Sequence, residues 1–515
     1  MSGAKSGKPL DLERRGSSWP RGQSKFGARL FGRTLPGMNC CNQPSSADGR
    51  IAGSFRDPSG YVFAREGRIF RAIDEPCHQL LQELGDSGVL PRLMAESQVV
   101  RTGFVADAAL QTALCEEHPG FTHFVEHEVL WPITYPYEWS ISMLADAGVA
   151  TIDLQLRLLG AGCSLKDGTA FNIQFVRGRP KFIDLTSLER PQRLDFWFAL
   201  GQFNQMFLFP LLLCRYGGWD VRSYFQANLG GRDVEQVAGG FGWWQKLRPQ
   251  MLLDVTLPML LTRWADKSAG SWRKTMETPR KNSAPQIANL RRLRAKISRL
   301  AAGYKPHGVW SDYTQICNYE AAAEQAKKAL VKEFLLSAKP QTVVDLGCNT
   351  GDYSRLAAEC GAAVVAADVA HDAVEILYRR LREEPAAINP LVVDLCNPSP
   401  GLGLMNRERP PFLERIRGDC VLALALLHHL LVSGNLTLDA VCELFAWITR
   451  RDLVLEFIPT DDSMFERLLK FRVNLFGGLT VESVKAAFSR RFKLLKEEPI
   501  SGSKRTLLFL RKEDA

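Results

Sequence analysis

"QTVVDLGCNTGDYSRLAAECGAAVVAADVA", Gln341–Ala370, decides the fold of the C-terminal half. Its apolar run "TVVDLGC" reads as a buried strand and ends in a turn carrying Gly347 and Gly351. "DYSRLAAEC" then reads as a helix, and "AAVVAADVA" as a second strand closed by Asp368. Strand, glycine turn, helix and strand make the βαβ unit of a parallel sheet, whose ligands bind at the carboxyl ends of the strands. Gly347 and Gly351 let the backbone come close to a ligand where a Cβ would stand in the way. The first amides of the following helix add a positive partial charge suited to a carboxylate. Asp368 lies 21 residues after Gly347, the distance at which an acid can accept hydrogen bonds from both hydroxyls of a ribose.

Further along, "PLVVDLC", "DCVLALALL" and "DLVLEFI" supply strands three to five. "RFKLLKEEPI" and "RTLLFLRK", joined by a Ser-Gly-Ser turn, suit an antiparallel hairpin at the sheet edge. A dinucleotide loop needs G-x-G-x-x-G to crowd a pyrophosphate. Here Asp345-x-Gly347-x-x-x-Gly351 lacks the middle glycine and opens with an acid. That acid is ill placed beside phosphates and well placed for an amine. A nucleoside with an amino-acid tail, S-adenosylmethionine, fits better.

Loop, acid spacing and strand order together resemble the class I S-adenosylmethionine-dependent methyltransferases over about Tyr304 to Lys512. The resemblance implies a Rossmann-like, seven-stranded mixed sheet with an antiparallel terminal hairpin in residues 304–515. It implies cofactor contacts from Asp345, Gly347, Cys348, Asn349 and Gly351 in the loop, and from Asp368 and Val369 after strand two. Asp394 and Leu395, at the end of strand three, would face the adenine. His428 and His429 follow strand four, and Glu456 closes strand five beside Asp461 and Asp462; the two histidines and Glu456 are the catalytic candidates. Tyr313 and Tyr319 fall on an expected helix that could cover the cofactor. No metal site is assigned. Long fused methyltransferases resembling this chain occur in bacteria, among them in clusters for cell-surface or signalling saccharides, including rhizobial nodulation factors. The expected acceptor is therefore a small molecule or saccharide. Nucleic acid is disfavoured, because no surface interleaving aromatic and basic residues is evident.

At 515 residues, the chain is long enough for two or three domains, and 46% hydrophobic with 23% charged residues is a soluble balance. Its net charge of +9 concentrates in residues 1–50, read as a disordered basic tail, and around 267–305. The start "MSGAKSGKPLDLERRG" has no apolar core of a secretory signal, and no C-x-x-C occurs, so the cytoplasm is expected. "FWFALGQFNQMFLFPLLLC", Phe196–Cys214, is interrupted by Gln202, Asn204 and Gln205, and reads as a buried core helix rather than a membrane span. Residues 266–303 read as a linker and a basic amphipathic helix. It has Ile287, Leu290, Leu293, Ile297 and Leu300 on one face and Arg291, Arg292, Arg294, Lys296 and Arg299 on the other. Such a helix can touch nucleic acid or anionic lipid, or dock by its apolar side between domains.

Residues 51–265 read as a mixed α+β domain that selects substrate or partner. A hairpin turns at Arg65-Glu66-Gly67, a helical pattern runs from Glu75 to Ser97, and residues 141–264 are mostly helical. Within it, Asp167-x-x-x-x-Asn172, an apolar hairpin and Ile183-Asp184 resemble the catalytic segment of protein kinases and related small-molecule kinases. There the first Asp positions a hydroxyl, while the Asn and second Asp hold Mg²⁺. No His-Arg precedes Asp167, no Phe-Gly follows Asp184, and no Val-Ala-Ile-Lys lysine or Gly-rich loop beyond Gly60 is found.

Overall fold

The computed structural model describes residues 49–265, 278–306, 321–470 and 476–513. Residues 1–48 of the expected basic tail, residues 266–277 of the expected linker, and Tyr313 and Tyr319 lie outside the described residues, while Arg50 is bridged to Phe63.

The first half opens with the hairpin β1 (Gly60–Arg65) and β2 (Arg68–Ile73). Glu66 and Gly67 turn it with φ of +53° and +75°, the two left-handed residues that keep the twist of a tight hairpin. Helices Glu75–Asp86 and Val89–Ala95 follow, separated by the left-handed Gly88. Next come β3 (Thr102–Phe104), helix Ala108–Glu117 and β4 (His123–His127), completing an antiparallel sheet of order β1-β2-β4-β3. A connecting segment leads to the long helix Ile141–Gly160.

Here the mostly helical expectation is corrected. Between 161 and 199 the chain forms an unforeseen short ladder of β5 (Ser164–Leu165) with β8 (Leu188–Glu189), and the apolar hairpin expected after Asn172 is present as β6 (Ile173–Val176) with β7 (Arg179–Phe182). Turns needed to shape a cleft interrupt any helical period. The apolar run is a buried helix only from Leu200 onward, while Phe196 and Phe198 before it are exposed. One interrupting amide is used internally: Gln202 accepts from the Gly168 amide at 2.7 Å. Helix Ala284–Ala302 docks by Leu290, Leu293, Ile297 and Leu300, all buried, and packs against helix Ile141–Gly160.

The second half is a doubly wound α/β unit. Helix Ala321–Ala338 leads into β9 (Thr342–Leu346), then β10 (Ala363–Asp368), β11 (Ile388–Val392), β12 (Gly418–Ala423) and β13 (Thr449–Phe457). Hairpin β14 (Phe492–Pro499) and β15 (Thr506–Lys512) closes the sheet. The strand order is β11-β10-β9-β12-β13-β15-β14, with β9 to β13 parallel and β15 antiparallel to both neighbours. The order reverses at β9, so the crevice between the β9 and β12 loops is the topological switch point.

Candidate functional site

At that switch point the loop Gly347–Gly351 is held from below. The amides of Gly347 and Cys348 both donate to the Ala367 carbonyl, at 2.8 and 3.2 Å, stapling the turn to the neighbouring strand. Gly347 has φ of +71° and Gly351 of +85°. A Cβ on Gly347 would stand 3.2 Å from Leu426 Cδ1, and one on Gly351 only 2.5 Å from Leu377 Cδ1. Both glycines are therefore favoured by their left-handed backbone, and Gly351 by packing as well. Between them Asn349 is itself left-handed, with φ of +49°, and its buried Oδ1 has no hydrogen-bond partner among the described residues.

Asp368 anchors the loop from the next strand. Its Oδ2 accepts from the Asn349 amide and its Oδ1 from the Ala370 amide, each at 2.8 Å. Burial nevertheless raises its pKa above the usual carboxylate range. Val369 beside it is 63% exposed, an apolar platform at the lip. Asp394 lies two residues beyond the end of β11, its Oδ1 accepting from Cys396 N at 2.9 Å, with Leu395 buried next to it. Asp345 is turned inward: it is buried and accepts from the Ser354 hydroxyl at 2.5 Å. Burial, reinforced by the nearby charge of Asp368, lifts it to about 7. Cys348 is buried too, and its thiol is pushed up.

On the β12 side, Ala425 takes φ of +49° and donates its amide to Glu456 Oε2 at 2.8 Å. Glu456 is fully buried and also accepts from Lys327 Nζ at 2.5 Å, with Arg505 3.5 Å from its other oxygen. Its carboxylate thus shapes the β12 turn from beneath. His428 is buried, burial drives its pKa far down, and neither ring nitrogen has a partner among the described residues. His429, ring centroid 4.2 Å from that of His428, is half-buried and likewise shifted down by burial. Asp461 and Asp462 are engaged by Lys504 and Arg505.

The first half holds a separate cleft of about 750 Å³ beneath the β1-β2-β4-β3 sheet. It gathers Asp167, Asn172 and Asp184, the three residues spaced in sequence. Asn172 Nδ2 donates to Asp184 Oδ2 at 3.1 Å. Arg71 on β2, almost fully buried, bridges Asp184 Oδ1 at 2.7 Å and Asp57 Oδ2 at 2.5 Å. Burial, together with the charges of Asp184 and Asp57, raises Asp167. Arg71 and Asp57 escaped sequence reading; the signal for Arg71 was a cation in the apolar strand "RIFRAI". The C-terminal half contributes Glu408, which receives a two-pronged bond from Arg56 at 3.0 and 2.9 Å.

Strand order, glycine loop and second-strand acid define the class: the C-terminal half has the Rossmann-like fold of class I S-adenosylmethionine-dependent methyltransferases. No protein-family model matches the chain. It is 34% identical over 467 residues to the nodulation protein NoeA of Rhizobium meliloti (strain 1021), covering 89% of this chain and 95% of that protein. The chain belongs to the NoeA family. Among solved structures, it is similar to magnesium protoporphyrin IX methyltransferase ChlM of Synechocystis PCC 6803 with bound S-adenosylhomocysteine. That match has 20% identity and a TM-score of 0.29, covering 37% of this chain and 84% of that one. N-methyltransferase NodS of Bradyrhizobium japonicum WM9 matches at 12% identity and a TM-score of 0.29, covering 38% and 99%. The bifunctional kinase-methyltransferase WbdD matches at 16% identity and a TM-score of 0.28, covering 38% and 40%.

Proposed function

We propose that this chain is a cytoplasmic S-adenosylmethionine-dependent methyltransferase acting on a small-molecule or saccharide acceptor, with the first half selecting that acceptor. One observation carries the reading. Asp368 is bonded to the Asn349 amide inside a loop bounded by two left-handed glycines, of which Gly351 leaves no room for a Cβ. That is a cradle for a sugar and an amino-acid tail, and the orphaned Oδ1 of Asn349 gives it a further acceptor. Asp368 and Val369 would hold the ribose side, Asp394 and Leu395 the adenine side, and Gly347 to Gly351 the tail. When bound, the cofactor supplies a methyl group made electrophilic by its sulfonium.

The chain's own contribution is placement and exclusion of water, and positioning of this kind is worth roughly 7–11 kcal/mol. Burial keeps His429 neutral near pH 7, a state able to accept a proton from an acceptor hydroxyl or amine. Glu456, tied to Lys327 and the Ala425 amide, orients the turn that carries both histidines. The test is to feed labelled cofactor and the protein to a fractionated bacterial lysate. Label should enter a small-molecule or saccharide fraction and be lost with Asp368→Ala. Label chiefly in RNA overturns the acceptor class, and no cofactor binding overturns the whole reading.

A second reading is favoured by the convergence of Asp167, Asn172 and Asp184 in one cleft. It makes the first half a kinase-like nucleotide-binding module beside the methyltransferase. Against it stands Arg71, whose guanidinium occupies Asp184. Mg²⁺-dependent nucleotide binding that vanishes with Asp184→Ala would establish this reading; its absence in the wild-type chain would remove it.

A further inference from the structure

Residues 243–261 show a face that the packed core does not explain. Pro249–Met251, the π-turn Leu252–Thr256 and helix Leu257–Ala265 form one continuous helical run. Met251 and Val255 are buried on its inner side. Leu253, Leu257, Leu260 and Leu261, spaced along the opposite side, are 46–59% exposed. A helix apolar on both sides is normally covered on both. Beside it, Trp243 and Trp244 stack with ring centroids 3.5 Å apart and are 61% and 68% exposed. The Thr256 hydroxyl donates to the Lys246 carbonyl at 2.6 Å, which ties the tryptophan turn to the leucine helix as one surface. Patches of this kind mark interaction sites.

Charge identifies the partner. Between 240 and 261 the one acid is Asp254, which is buried and neutralised by Arg292 at 2.6 Å and Lys296 at 2.6 Å. Those two bonds place the basic helix Ala284–Ala302 alongside the leucine face. Residues 278–306 contain no acid at all, and Arg280, Lys281, Arg291 and Arg299 are exposed there. A second copy meeting this face across a two-fold axis would set like charges together, which disfavours self-association. Nucleic acid would use planar stacking side chains and offers no apolar sink for four leucines. Cations rimming leucine and paired tryptophan are the composition of a helix lying in a lipid interface. No described helix is long and apolar enough to cross a membrane, so the contact is superficial.

We propose that this face docks the protein onto an anionic lipid bilayer, with Leu253, Leu257 and Trp244 entering the interface and the basic helix meeting the headgroups. The proposal is independent of the methyl acceptor. Purified full-length protein is spun with vesicles of phosphatidylcholine plus phosphatidylglycerol, and with phosphatidylcholine alone, at low and high salt. It should pellet with the anionic vesicles, less so at high salt. The double variant Leu253→Asp, Leu257→Asp should bind at least about tenfold more weakly, as should Arg291→Glu, Arg299→Glu. An unchanged melting temperature shows that each variant is folded. Wild-type protein remaining in the supernatant overturns the proposal, as do folded variants that pellet like wild type. Light scattering that finds a dimer dissolved by the leucine variant assigns the face to a second copy instead.

Discussion

At the scale of single residues, the cofactor loop is constrained in two separable ways, and substitution tells them apart. Gly351→Ala combines a left-handed φ of +85° with a Cβ 2.5 Å from Leu377. Backbone strain alone costs roughly 1–2 kcal/mol, and the contact pushes the loop out of line. S-adenosylhomocysteine affinity measured by calorimetry should fall at least about tenfold. Gly361→Ala, with φ of +95° and nothing within 4 Å of its Cβ, should lower stability and leave affinity alone. Equal affinities in the two variants would refute the role of the loop. Asp345 carries a pH signature. Its carboxyl is at about 7 in the folded chain against 3.8 as the ordinary value. Between those values the unfolded chain releases a proton that the folded chain keeps, so stability falls as pH rises and levels off above about 7. Asp345→Asn retains an acceptor for Ser354 and escapes this loss. In urea unfolding, the variant should gain on wild type between pH 4 and 7, by on the order of 2–4 kcal/mol, and gain no more above. A flat difference would show that Asp345 is solvated.

At the scale of elements, the helix Ala321–Ala338 is fastened to β13 by Lys327 and Glu456, with side chains only 5% and 0% exposed. Lys327→Met strands most of a buried charge, and the loss should be about 3 kcal/mol. Thermal unfolding of the full chain reads it; Lys327→Met combined with Glu456→Leu should recover part of the loss, and failure to recover would show that packing, not charge, sets the effect. Elements differed in how far the sequence disclosed them. The strands of the second half are runs such as "TVVDL" and "AVVAAD", buried on both faces, which announce themselves by continuous apolarity. Gly347, Gly351 and Asp368 could be read because their spacing is fixed by strand and helix lengths. The ladder β5-β8 has only two pairs, too short for any period to emerge, whereas the four-pair hairpin β6-β7 is legible from its apolar run and its turn. Arg71 and Asp57, 14 residues apart, are joined in one cleft by Glu408 from the other half of the chain, and that depends on tertiary packing, which no local pattern encodes.

At the scale of the whole molecule, the first half covers one edge of the second half's sheet. Strand β11 is one edge of the large sheet, and the β6-β7 turn sits against it, Gly178 N donating to Asn389 Oδ1 at 3.0 Å. The other edge, β14, has no hydrogen bond from the first half among the described residues, and beside Leu494 and Leu495 it exposes Lys493, Lys496 and Glu497, the charged side chains that discourage edge pairing. Covered and charged edges solve the same problem by different means. Buried polar bonds cross the joint beside apolar packing: Ser142 N and Oγ donate to Glu375 at 3.0 and 2.5 Å, and Tyr378 donates to Asp146 at 2.7 Å. At its centre Arg415 and Glu138, side chains 1% and 0% exposed, pair at 2.5 Å. Arg415 also donates to the carbonyls of Ile133 and Pro410. Because the pair spans both halves, the halves should unfold together. Glu138→Gln leaves the Arg415 charge buried without its counter-ion, at a cost of about 3–5 kcal/mol. Scanning calorimetry of the full chain should show one endotherm in wild type, moved as a whole to lower temperature in the variant. If two endotherms are found and only one moves, the halves are independent bodies that merely touch. A first half that selects the acceptor could then not pass its state to the cofactor loop through this joint.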